Sequence, residues 1–129
     1  MTDTELKQRT KTFALRIMKL VDALPKTKGG HAIGAQIVRS GTSVGANYRA
    51  SCRARSKAEF IAKIGVVEEE ADECGFWLEL IAEGGLLPAP KVSALLQEAS
   101  ELTAIMAASR ISASRNRQTE TDCRLPIAD

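Results

Sequence analysis

The chain has 129 residues, 44% of them hydrophobic and 26% charged, with a formal net charge of +2. That length suits one domain with a real core and is too short for two. Aromatic residues make up only 4%, which disfavours a β-sandwich, a barrel or a base-stacking platform.

No apolar run approaches the roughly 18 residues that a membrane-crossing helix needs, so no membrane association is expected. The opening MTDTELKQRTK has no apolar core of a secretory signal. Cys52, Cys74 and Cys123 form no CxxC pair, and their odd number suits a reducing, cytoplasmic setting. The small net charge hides an uneven distribution. Residues 30–57 contain Arg39, Arg49, Arg53, Arg55 and Lys57 and no acid, whereas residues 58–85 contain eight acids against Lys63.

The first predicted helix opens on a capping box, Thr2 with Glu5. Leu6, Phe13, Ile17, Leu20 and Leu24 then recur at helical spacing, with Thr10 in the vacant step. Pro25 and the PKTKGG segment end it. The second helix is expected from about Ala32 to Cys52. Its stripe of Ile33, Ile37, Gly41, Val44 and Tyr48 is unusually rich in small neighbours, Gly34, Ser40, Ser43, Gly45 and Ala46 among them. Glycine inside a helix costs about 1 kcal/mol relative to alanine. Close approach of a neighbouring helix at Gly41 and Gly45, beside Tyr48, is the natural compensation, in the same subunit or the next.

A second capping box, Ser56 with Glu59, starts the third helix. Phe60, Ile64, Val67, Ala71, Cys74, Leu78 and Ile81 alternate steps of four and three, the strongest periodicity in the chain. Gly84-Gly85 stops it. The fourth helix carries Val92, Leu95, Leu96, Ala99, Leu102 and Met106, and the period lapses near Arg110. The pattern predicts an all-α, up-down-up-down four-helix bundle over residues 1–110, with a disordered tail over 111–129.

The segment RSGTSVGANYR, followed by the Ser-x-x-Glu-Phe helix start, Glu-Ala-x-Glu and Trp77-Leu78, resembles the 23S rRNA-intervening sequence protein family. With the first-helix pattern and the Pro25-to-Gly30 turn, the resemblance spans roughly residues 5 to 108. It implies a four-helix bundle and, from ring-shaped members, a homopentamer. It also implies a link to the accessory variability proteins of diversity-generating retroelements, which bind a reverse transcriptase and nucleic acid. For most members of the family no molecular function is established.

The candidate chemistries separate on spacing. SGTSVGAN lacks the lysine and the preceding strand of a phosphate loop. Ser40, Ser43 and Cys52 have no histidine partner, because the only histidine, His31, falls in the predicted loop before the second helix. Glu69-Glu70-Ala71-Asp72-Glu73, with Glu98 and Glu101, imitates a Mg²⁺-dependent nucleotide pyrophosphohydrolase. On a helical wheel, however, Glu69 and Glu73 point away from the apolar seam, whereas metal carboxylates in a bundle project inward. No enzyme activity, cofactor or metal is therefore expected.

The cations remain. Arg39, Arg49 and Arg53 lie opposite the apolar stripe, and Arg55, Lys57 and Lys63 extend the patch, giving a candidate surface for RNA or DNA phosphates without sequence preference. Glu69 and Glu73 are like charges at i,i+4, repulsive unless a cation sits nearby, so the acidic third helix is a natural complement to the basic second. Self-association is the leading expectation, with a protein-partner adaptor of the reverse-transcriptase accessory type as an alternative.

Overall fold

A computed structural model describes residues 1–124, with side chains as far as Arg115. It contains four helices: α1 (Asp3–Asp22), α2 (Lys28–Ser51), α3 (Lys57–Glu83) and α4 (Ala89–Arg124). Each packs on its neighbour in the chain, and α4 returns to α1 through a narrower contact, closing an up-down-up-down bundle. There is no strand among the described residues.

The helix starts follow from side-chain caps. At α1 the full capping box forms, with Thr2 Oγ1 accepting from Glu5 N–H and the Glu5 carboxylate accepting from Thr2 N–H. Ser56 Oγ accepts from Glu59 N–H to open α3. At α2 the cap is Thr27, whose Oγ1 accepts from Gly30 N–H, so the helix begins four residues before Ala32. The sequence placed Gly29-Gly30 in a loop. In the fold Gly30 is buried under the Pro25 carbonyl, and a Cβ there would fall 2.0 Å from that oxygen. The glycine is needed for a tight turn rather than for a loose one.

The apolar stripes meet as their spacing requires. Phe13, Ile17, Ile37, Val44, Ile64, Val67, Cys74, Leu78, Ile81, Leu102 and Met106 are fully enclosed, each large side chain contributing about 1.5–3 kcal/mol of transfer free energy. Thr10 is buried among them, its hydroxyl donating to the Leu6 carbonyl at 2.8 Å. No helix among the described residues is long and apolar enough to cross a membrane.

The fourth helix does not end near Arg110. It continues to Arg124, Ala113 is buried, and Ser109, Ser112 and Ala113 line a shallow cleft with Ser56, Lys57 and Phe60 at the start of α3. Two causes are visible. No Gly or Pro interrupts the chain between Lys91 and Leu125, so nothing breaks the helix after the apolar period lapses. At about 1.5 Å per residue, an antiparallel α4 also needs to reach about residue 115 to lie along the whole of α3. Residues 125–129 of the predicted tail lie outside the described residues.

Candidate functional site: the charged faces of the bundle

The predicted basic patch is divided by the packing. Arg39 turns toward α3, where its guanidinium bonds Glu70 at 3.0 Å and also Glu73. Those hydrogen bonds, to Glu70 first, raise its pKa above the ordinary arginine value. Arg39 is therefore an intramolecular tie between the basic and the acidic helix. It also answers the repulsion between Glu69 and Glu73, because Glu73 is neutralised while Glu69 stays exposed. Trp77 Nε1 donates to Glu73 at 3.0 Å, and this bond, followed by Arg39, holds the Glu73 carboxyl below the usual range.

Arg49 lies on the opposite edge of α2. With Lys7 and Lys11 of α1 it lines a groove of about 470 Å³, whose other walls are Thr4, Gln8, Ala14, Thr42, Gly45 and Ala46. No carboxylate borders it. Arg53 lies beyond the α2 cap at Cys52, in a turn where its N–H donates to the Ala50 carbonyl at 3.1 Å. It does not extend the helical row from Arg49. Arg55 and Lys57 follow in the connection and at the first position of α3, all three exposed, and Lys63 is half-buried on α3. Among the described residues, Arg49, Arg53, Arg55, Lys57 and Lys63 make no salt bridge, unlike Arg39. Lys7 and Lys11 could have been found from their own i,i+4 spacing, but their convergence with Arg49 depends on how α1 packs on α2.

Gly41, Gly45 and Tyr48 belong to the α1–α2 seam of one subunit. A Cβ at Gly41 would lie 3.0 Å from Ile17 Cγ2, and one at Gly45 would lie 3.5 Å from the Thr10 carbonyl oxygen. Tyr48 is buried, its hydroxyl donates to Asp3 at 3.3 Å, and burial raises its pKa. The small-residue stripe is used inside the molecule, which leaves its outer edges for contacts with anything else.

The acids that imitate a pyrophosphohydrolase face different neighbours. Glu70 and Glu73 bond Arg39 of α2, whereas Glu98 takes a two-pronged contact from Arg9 of α1 at 2.7 Å, and Glu101 bonds the same arginine at 2.8 Å. A third tie, Arg110 to Glu68 at 2.7 Å, joins α4 to α3. These carboxylates act as interhelix struts on three separate edges. His31 is exposed in the first turn of α2, not in a loop.

A larger groove of about 850 Å³ runs between α3 and α4. Gly75, Ser100, Ala104 and Ala107 make it shallow, and Asp72, Phe76 and Glu79 stand along its α3 rim. Phe76 is 52% exposed, set edge-on against Trp77 with ring centroids 5.0 Å apart. Phe76 lies off the core period of α3, so the sequence carries no signal that singles it out.

The fold and these faces define a small helical bundle whose outer surfaces differ by charge. A family model for the 23S rRNA-intervening sequence protein matches residues 2–108, and the chain belongs to that family. It is similar to a crystal structure of a protein with unknown function from the S23 ribosomal protein family of Bacteroides thetaiotaomicron VPI-5482. The two are 31% identical, over 85% of this chain and 98% of that one, with a TM-score of 0.78. No curated protein matches the chain.

Proposed function

We propose that this chain is a non-enzymatic, self-associating bundle that works as an assembly and binding module in the cytoplasm. The observation that carries the reading is the placement of opposite charge on opposite sides of one bundle. Residues 1–56, which contain α1 and α2, hold eleven lysines and arginines against three acids, and residues 57–115, on α3 and α4, hold five against ten. Only Arg9 and Arg39 of the basic half are tied to acids of the other half among the described residues. The remaining charge is available to a neighbour. A contact between two unlike faces is heterologous, and such contacts close into rings when the rotation permits. The family resemblance favours a pentamer. Light scattering on the purified chain tests this, and a monomer at every concentration up to about millimolar would sink it.

A second reading concerns RNA or DNA and is favoured by the turn between α2 and α3. Arg53, Arg55 and Lys57 are exposed there within five residues, without a partner among the described residues. Phosphate contacts of this kind give salt-sensitive binding without base preference. Binding measured across a salt series should weaken in Arg53→Glu with Arg55→Glu, and equal affinities at every salt concentration would remove the reading.

A further inference from the structure

We infer that the contact between copies is made by the Asp72–Phe76–Glu79 edge of α3 seating in the Lys7–Lys11–Arg49 groove of a second copy. The inference rests on the self-association proposed above and specifies its two faces.

The α3 edge has the form of a ridge. Glu69, Asp72, Phe76, Glu79 and Glu83 follow one another at spacings of three and four, so they form a single stripe along the helix. All five are exposed, and none is in a salt bridge among the described residues. The stripe is therefore distinct from Glu68, Glu70 and Glu73, which the bundle uses internally. At its centre is Phe76, an apolar ring left half in water next to the small-residue α3–α4 groove. An isolated exposed phenylalanine is unremarkable, but one flanked on both sides by unpaired carboxylates at contact spacing is a patterned surface.

The α1–α2 groove has the complementary form. Gly45, Ala46 and Ala14 keep its floor low, so a ring can approach the backbone, and Lys7, Lys11 and Arg49 supply three cations from two helices. Leu15 and Met18, 55% and 48% exposed, continue from Lys11 along α1 at spacings of four and three. The groove thus joins cations to Leu15 and Met18, the ridge joins carboxylates to Phe76, and the signs are opposite. A second α1–α2 face would repel the groove, as would a second α3 edge the ridge. The pairing that charge permits is unlike to unlike.

This geometry has a consequence for stoichiometry. A pair of copies joined by unlike faces leaves one free groove and one free ridge, so association continues past the dimer. It also leaves Arg53, Arg55 and Lys57 outside the contact.

The test is complementation by charge reversal in the full chain. One variant carries Lys7→Glu, Lys11→Glu and Arg49→Glu, the other Asp72→Lys and Glu79→Lys, all at exposed positions, with helicity checked by circular dichroism. The wild-type chain should sediment as a species larger than a dimer. Each variant alone should shift to smaller species, and a third chain that carries all five reversals should restore the large one, because every copy then again presents two faces of opposite sign and a ring of any number can close. Phe76→Ser, which changes no charge, should raise the concentration for half-assembly about tenfold. Wild-type assembly that survives in both variants, or a loss that combining all five reversals in one chain does not repair, overturns the assignment of these faces while self-association stands. A wild-type chain that stays monomeric overturns both.

Discussion

Gly41 lies so close to Ile17 that a methyl group on it would fall 3.0 Å from Ile17 Cγ2, 3.1 Å from Cγ1 and 3.2 Å from Cβ. Four residues on, a methyl group at Gly45 would find its nearest neighbour, the Thr10 carbonyl oxygen, at 3.5 Å. The two glycines therefore respond oppositely to alanine. Both substitutions gain helix propensity, about 1 kcal/mol. At Gly41 that gain is outweighed, because Ile17 is fully enclosed and held by its own neighbours, and overpacking costs about 1–3 kcal/mol. Gly45→Ala should raise the thermal midpoint and Gly41→Ala should lower it. Equal shifts of the same sign would show that α1 and α2 do not meet through this seam.

The same pair shows how far the sequence can be read. The periodicity of Phe60 to Ile81 and the caps at Thr2 and Ser56 are local signals, and the helices and the bundle follow from them. That Gly41 and Gly45 permit close approach was legible too, but the identity of the approaching helix was not, since a stripe of small residues carries no address. Arg39 shows the limit more sharply. A helical wheel puts it beside Arg49, yet rotation of α2 between two neighbours sends Arg39 to Glu70 and Arg49 to Lys7 and Lys11. The start of α2 carries no such local signal, because Gly29-Gly30 resembles a loop. The continuation of α4 to about residue 115 follows the length of α3, and no apolar period of its own announces it.

Arg9 ties α1 to α4 where the bundle has its thinnest contact. Its two-pronged bond to Glu98 is partly enclosed, with side-chain exposures of 25% and 16%, and that bond raises the arginine pKa above its ordinary value. Arg9→Ala leaves Glu98 without its cation in a half-buried position, at a cost of about 1–2 kcal/mol. Arg9→Lys should recover only part of this, because an ammonium cannot reproduce the planar fork. Urea denaturation of the three proteins checks the order. Arg39→Ala should cost less, since half of the Arg39 side chain stays in water.

Cys74 is fully buried, 3.2 Å from Ser40 Oγ, and burial pushes its thiol up to about 11. At pH 8 its thiolate fraction is on the order of one in a thousand, so both access and chemistry protect it. Cys52 is only half-buried. Iodoacetamide at pH 8 should label Cys52 on the native protein and reach Cys74 only when denaturant opens the bundle. Mass mapping of the labelled peptides reads this directly. Native labelling of Cys74 at the Cys52 rate would contradict the α2–α3 packing.

Trp77, the only tryptophan in the chain, reports on the other α2–α3 tie. Its indole N–H donates to Glu73 at 3.0 Å, and Arg39 bonds the same carboxylate. Both contacts favour the ionised acid, which is why its pKa lies below the ordinary 4.5. A carboxylate whose pKa is depressed by folding stabilises the fold above its unfolded value, and that contribution disappears as pH falls through the folded value. With about a third of the side chain exposed, the contribution is under about 1 kcal/mol. Tryptophan emission should change with a midpoint below 4.5 in the wild-type chain, and Arg39→Ala should move that midpoint up. In Glu73→Gln the transition should vanish, because nothing at the indole is left to titrate. A transition that persists unchanged in Glu73→Gln would assign it to global acid unfolding instead.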